Sequence, residues 1–236
     1  MRWPRLCSIA VLVTFSACDP RTSPTDEAKL ADVDHVIVGV SDLEWGMATL
    51  ERLTGVRPIV GGAHPGQGTR NALLSLGDGT YLELYASNPA EPVESPEVRE
   101  LRDLTGLKPL GWAIRPDDAE AVRSALAAQG FTLSAPDAGS RARPDGVMLN
   151  WETFGFGNFE DPLAPFFISW KQPADLHPSR TSPSGCRLVA IHLLEPKPLR
   201  LAAAIRALRL TVTVAKASAQ RMEVEIACPK GRVSLH

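Results

Sequence analysis

The sequence predicts an α+β chain built from tandem βαβββ modules with a third βαβββ unit at the C-terminus, and three observations predict it. Two amphipathic helices, each with an acidic N-cap and a closing glycine, are preceded by one short apolar strand and followed by several more. Asp42 and Asp117 are separated by the same number of residues as Gly55 and Gly130, the mark of an internal repeat. A further strand–helix–strand series follows a Pro- and Ser-rich stretch, QPADLHPSRTSPSG.

Residues 33–40 form a β-branched strand that ends at Ser41-Asp42, where Ser41 and Glu44 have capping-box spacing. The helix that follows places Leu43, Met47, Leu50 and Leu53 on one face, and Gly55 supplies a left-handed cap. Strands are expected over 57–61, 70–76 and 80–86, the last two joined through Gly77-Asp78-Gly79, a hairpin signal. A linking helix fits 94–105. The pattern then returns with a strand over 110–115, a helix capped by Asp117 with Glu120 and ended by Gly130, and strands over 131–134, 147–154 and 166–171. After a linker over 174–186, residues 187–236 give a strand over 188–194, a helix over 199–208, and strands over 211–215, 222–227 and 232–235. Such a unit would leave an open sheet face, so it must cover the paired modules or another subunit, as in a homodimer.

The 236 residues are 44% hydrophobic and 22% charged, a composition that can bury a core. With 25 basic against 27 acidic residues and a net charge of -2, no basic field is available to recruit nucleic acid. At the N-terminus, Arg2 and Arg5 precede an apolar run over 6–15 and then Ser16-Ala17-Cys18. This is an export signal, with a run too short to cross a bilayer core of roughly 30 Å as a helix. Phe-Ser-Ala-Cys resembles the bacterial lipobox, which implies lipidation of Cys18 and anchoring on the periplasmic side of a membrane. The alternative is a cleaved, soluble periplasmic protein. Residues 19–31 read as a tether. The other two cysteines, Cys186 and Cys228, are permitted a disulfide in an oxidising compartment, a buried reduced pair being the alternative.

The strings DHVIVGVSDL, GGAHPGQGTRNALLSL, GTYLELYASNP, LGWAIRPDD and PFFISWKQP resemble the glyoxalase-like branch of the vicinal oxygen chelate superfamily over about residues 33–173. The resemblance implies paired modules whose curved sheets enclose a small-molecule pocket. In active relatives a divalent metal is held by the first and last strands of each module. His35 and Glu83 occupy those positions in module one. The repeat spacing carries His35 to Leu110, and Glu83 of YLELY is set against Ser169 of FFISW, so the second module offers neither ligand. His64, placed in the loop after the second strand, completes a two-His, one-carboxylate set of the kind that suits Fe, Mn or Zn; a loop-shaping or ligand-contacting His64 is the competing reading. Glu83 needs a metal, a cation such as Arg70 or Arg115, or a raised pKa that would make it a general base.

Thr69, Asn71, Trp112, Ser169 and Trp170 are expected in the pocket, with core packing the alternative for the aromatic residues. His177 and His192 are assigned to linker and strand packing. GGAHPGQGT is no P-loop, since no Lys-Ser or Lys-Thr follows it, and no G-x-S-x-G hydrolase motif occurs. Two functions follow: an exported metal-dependent lyase, dioxygenase or isomerase using His35 and Glu83, or a metal-free small-molecule binding protein of the cell envelope.

Overall fold

The computed structural model describes residues 31–77 and 79–236. The export signal, Cys18 and the tether up to residue 30 lie outside them, as does Asp78 of the expected hairpin turn. Among the described residues no helix is long and apolar enough to cross a membrane.

Module one runs β1 (Ala31–Gly39), α1 (Leu43–Thr54), β2 (Ile59–His64), β3 (Thr69–Ser75) and β4 (Tyr81–Ser87). The helix starts at Asp42, whose side chain accepts the Trp45 N–H at 2.7 Å, so Asp42 rather than Ser41 is the cap. Leu43, Met47 and Leu50 bury its inner face, and Gly55, at φ 83°, closes it. After α2 (Pro96–Asp103), module two runs β5 (Lys108–Pro116), α3 (Ala119–Ala127), β6 (Asp137–Ala142), β7 (Met148–Phe154) and β8 (Phe166–Trp170). Here Asp118, not Asp117, is the cap, accepting from the Glu120 and Ala121 N–H groups. The expected strand over 131–134 is absent: Phe131 is buried in the core, Leu133 makes an isolated bridge with Phe156, and the strand lies at Asp137–Ala142 instead.

All eight strands form one sheet in the order β2-β3-β4-β1-β5-β8-β7-β6. In each module the first strand lies parallel to the last, and the modules join through the antiparallel pair β1/β5. The sheet curls until its two edges meet, where the Arg141 guanidinium donates to Gly61 O. Gly62 lies so close to Ala142 O that a Cβ there would collide with backbone, which is why this edge is glycine.

The third unit comprises β9 (Arg187–Glu195), α5 (Leu199–Ala207), β10 (Thr213–Lys216), β11 (Arg221–Cys228) and β12 (Gly231–Leu235). Its element series is βαβββ, but its sheet order is β10-β9-β11-β12, with β9 parallel to β10, unlike either module. Ile191, Leu193, Met222, Val224 and Ile226 enter the same core as Val36, Val38, Trp112 and Ile114. The unit therefore covers the paired modules of its own chain. Lys230 N–H donates to Thr54 O, Arg200 lies 5.2 Å from the centroids of both the Phe131 and Phe159 rings, and a disulfide joins Cys186 to Cys228. The linker over 174–186 is itself structured, with a 3-10 turn (Ala174–Leu176) and α4 (Pro178–Thr181).

Candidate functional site

Strand alternation sets which side chains of the curled sheet point inward. From module one these are His35 and Ile37 on β1, His64 on β2, Asn71 on β3, and Tyr81, Glu83 and Tyr85 on β4. They line a cavity of about 270 Å³. The sequence placed His64 in a loop; it is the last residue of β2, paired with Thr69.

Glu83 is the centre of this half. Asn71 Nδ2 donates to Glu83 Oε1 at 2.6 Å and reaches His64 Nε2 at 3.2 Å. Reversing the amide would set an oxygen against that carboxylate, so the orientation is fixed. With Nε2 accepting, His64 carries its proton on Nδ1, 2.9 Å from Thr69 Oγ1. Burial lowers the His64 pKa below its ordinary value, the negative charge of Glu83 opposing. His35 Nε2 stands 3.6 Å from Glu83 Oε2, leaving that oxygen without a hydrogen bond. Neither Arg70 nor Arg115, the expected partners, pairs with Glu83.

Behind His35 lies Asp34, fully buried. Its Oδ1 accepts from His35 Nδ1 at 2.8 Å; its Oδ2 accepts from Arg115 Nη1 at 2.8 Å, Trp170 Nε1 at 3.2 Å and His177 Nε2 at 3.0 Å. Burial alone would raise this carboxyl, but the hydrogen bonds from His177 and His35 outweigh it and hold the pKa well below the ordinary range. One carboxylate thus ties β1, β5, β8 and the linker together and fixes the His35 tautomer. His177, expected to serve the linker, is part of this cluster.

Module two supplies the opposite wall, and strand register gives each residue its counterpart. His35 pairs with Tyr81 across β1/β4, and Ala113 with Phe166 across β5/β8. Ala113 therefore stands where His35 does, and Ile168 where Glu83 does. Leu110 and Ser169, the counterparts read from sequence, are displaced from these positions: Leu110 is 41% exposed, and Ser169 alternates away from the cavity between Ile168 and Trp170. On the outer strands Trp151 matches Asn71, and Arg141 matches His64. Trp112, expected in the pocket, lies in the core with its indole N–H on Leu163 O at 2.9 Å. Trp170 does line the cavity, beside Trp151 and Phe166. Thr69 supports it from behind His64.

Among the cavity residues that sequence reasoning missed, which include Tyr81, Tyr85 and Ile168, Arg141 matters most. It is 2% exposed, and burial pushes its pKa down while Glu83 and Tyr81 oppose the shift. Its strand, DAGSRA, has neither apolar alternation nor β-branched residues, and so carries no strand signal.

A divalent ion needs donors converging at roughly 2.0 to 2.2 Å. Glu83 Oε1 and the His64 Nε2 lone pair are instead both engaged by Asn71 Nδ2, at 2.6 and 3.2 Å. The Asn71 NH2 is seated between His64 and Glu83, and a buried guanidinium already faces the same cavity. Ala113 and Ile168 donate nothing. Among the described residues no group of three or more His, Cys, Asp or Glu side chains is arranged to hold a metal ion. The set His35, Glu83 and His64 proposed from sequence therefore does not fit a resident Fe, Mn or Zn ion.

The model of a family described as "Glyoxalase-like domain" matches residues 33–209. The chain belongs to the glyoxalase-like domain family. No curated protein matches it. Among solved structures, a hypothetical protein from Staphylococcus aureus is similar at TM-score 0.59 and 13% identity, over 87% of this chain and 99% of that one. Methylmalonyl-CoA epimerase from Mycobacterium tuberculosis aligns at TM-score 0.40 and 22% identity, over 59% of this chain and 89% of its own. A 4-hydroxymandelate synthase mutant from Streptomyces coelicolor aligns at 0.47 and 16%, over 88% and 63%. At these identities the first likeness speaks to the glyoxalase-like fold alone.

Proposed function

We propose that this glyoxalase-like chain binds a small organic acid in the central cavity and transfers a proton to and from it by Glu83, with no resident metal. The observation that carries this is the division of charge in one enclosure. The Glu83 carboxylate and the Arg141 guanidinium both face the cavity without forming an ion pair, between walls of Trp151, Phe166, Ile168 and Trp170. A cavity of about 270 Å³ suits a compact molecule, below the usual range for larger ligands of roughly 300 to 1,000 Å³.

The chemistry follows from which atoms are free. Asn71 occupies Glu83 Oε1, so Oε2 is the proton acceptor. A substrate C–H next to a carbonyl gives its proton to Oε2, the electron pair moves onto the carbonyl oxygen, and Arg141 holds the carboxylate of the substrate against the opposite wall. Return of the proton to carbon completes an isomerisation or exchange. His35, its Nδ1 proton held by Asp34, turns the Nε2 lone pair toward Oε2 at 3.6 Å, where it can relay the proton that Oε2 takes up.

Incubation of the protein with a panel of 2-oxo acids in D2O, followed by proton NMR, tests this. Catalysed loss of the C–H signal, unchanged by EDTA and reduced at least about 100-fold in Glu83→Gln, is the expected result. Exchange that disappears with EDTA, or an unaffected Glu83→Gln variant, would contradict it.

We also infer that the chain is exported and anchored through Cys18. The charged start, short apolar run and Ser-Ala-Cys segment support this, as does a disulfide suited to an oxidising compartment. Labelled palmitate should enter the wild-type protein in a bacterial host and not the Cys18→Ala variant; equal labelling of both would refute the anchor.

A further inference from the structure

A second cavity, of about 230 Å³, lies on the far side of Trp170 from the first, with Gly79, Arg115, Gln172, His177 and Arg180 in its lining. Its side-chain polar groups are mostly donors, and the carboxylate nearest to it is already taken. Asp34 is fully buried and saturated by four donors, so its charge is sealed away. The Ser179 hydroxyl and backbone N–H both donate to His177 Nδ1, at 2.8 and 3.3 Å, and the other His177 nitrogen donates to Asp34. Gln172 Oε1 accepts the Asn150 N–H at 3.0 Å, which leaves Gln172 Nε2 buried with no partner.

The cations are only partly used. Arg115 spends Nη1 on Asp34 and on Gly79 O, the latter at 3.1 Å. Among the described residues the Arg180 guanidinium has no acidic partner. A buried amide N–H pair without an acceptor is destabilising, and such groups in native structures call for a partner. Two guanidinium groups and an orphan amide around one hollow select an acceptor-only, negatively charged guest.

We propose that this cavity is a second binding site, for the oxyanion of a small molecule, a carboxylate or a phosphate monoester. Arg180 grips it directly, Arg115 adds charge from behind, and the Gln172 amide, sealed in the wall of the empty cavity, turns toward it on binding. Trp170 forms the wall between the two cavities and reports occupancy through its fluorescence. The proposal does not depend on the chemistry assigned to Glu83.

The test is titration of the full chain with inorganic phosphate and, separately, acetate, followed by tryptophan fluorescence and calorimetry. Arg180→Gln and Gln172→Ala are suitable variants because neither residue touches Asp34, and Arg221→Gln on β11, where Arg221 pairs with Glu223 at 2.7 Å, is the control for charge alone. The expected result is saturable binding of at least one anion, weakened about tenfold or more in Arg180→Gln and in Gln172→Ala, with Arg221→Gln like wild type. Tighter phosphate binding assigns a phosphate ester and tighter acetate binding a carboxylate. Absence of saturable binding of both anions, or equal weakening by all three substitutions, would overturn the site.

Discussion

The two modules share a strand order, a helix position and a register, yet face the cavity with opposite chemistry. Where module one places His35, His64, Asn71 and Glu83, module two places Ala113, Arg141, Trp151 and Ile168. One half offers a hydrogen-bonded carboxylate flanked by imidazoles, and the other a cation set among apolar and aromatic groups. Repetition thus fixes the backbone frame, because outward residues such as Val36, Val38, Trp112 and Ile114 must pack the same core. Inward residues carry no such constraint. A symmetric metal cage needs donors from both halves, and this pair of halves instead complements a ligand with one acidic C–H and one anionic group.

The comparison can be broken first at the seam. Asp34→Asn leaves His177, His35 and Arg115 around a neutral acceptor, and removal of one member of a buried charged cluster costs about 3 to 5 kcal/mol. Urea denaturation should record that loss, together with weaker exchange activity as the His35 tautomer is released. Trp112→Ala should destabilise by a similar amount, about 3 to 5 kcal/mol, and leave the half-saturating ligand concentration of the folded protein unchanged, since Trp112 belongs to the shared core and not to the cavity.

A smaller effect comes from reduction of the Cys186–Cys228 bridge, at about 2 to 5 kcal/mol in the chain-entropy account, read as a drop in melting temperature on adding reductant that Cys228→Ala mimics. Next is pH. The folded-state pKa of His64 is lowered, so the unfolded chain binds more protons just below the ordinary value of about 6.5. The stability His64 contributes is complete above that pH and is lost as pH falls below it. His64→Gln should flatten the decline in urea midpoint between about pH 7 and 5. Smallest is Arg200→Ala, which removes cation–π contacts to Phe131 and Phe159 and costs about 0.5 to 1 kcal/mol; a loss well above that would mean that the third unit is held by that corner rather than by its broad apolar face.

Much of the frame was legible in the sequence. The amphipathic helices, the alternating strands and the Gly55 closure gave both modules, although the second helix is capped by Asp118 and Ala128 rather than Asp117 and Gly130, and the series over 187–236 gave the third unit, because each rests on local chemistry. The strand order of that third unit was not legible, since the same element series folds as β10-β9-β11-β12 when its first strand pairs with its second. Within the site, His35, Glu83 and Asn71 stood out through motif and strand position. Asp34 did not, because its role comes from Arg115, Trp170 and His177, residues far along the chain that only tertiary packing brings to it. Arg141 was hidden by a strand without apolar periodicity. Ala113 was displaced from the repeat spacing because the turn between first strand and helix is shorter in module two, whereas Ile168 was legible, since it is the third residue of FFISW as Glu83 is of YLELY.

The central claim, that module one supplies the proton acceptor and module two the anion grip, separates two substitutions. The decisive measurement is the rate of deuterium exchange into 2-oxo acids as a function of substrate concentration, in Glu83→Gln and Arg141→Gln side by side. Glu83→Gln should lose the rate at saturation by about 100-fold or more while keeping its half-saturating concentration, and Arg141→Gln should raise that concentration by about tenfold or more. Equal effects of the two substitutions on both parameters, or an Arg141→Gln variant that binds like wild type, would contradict it.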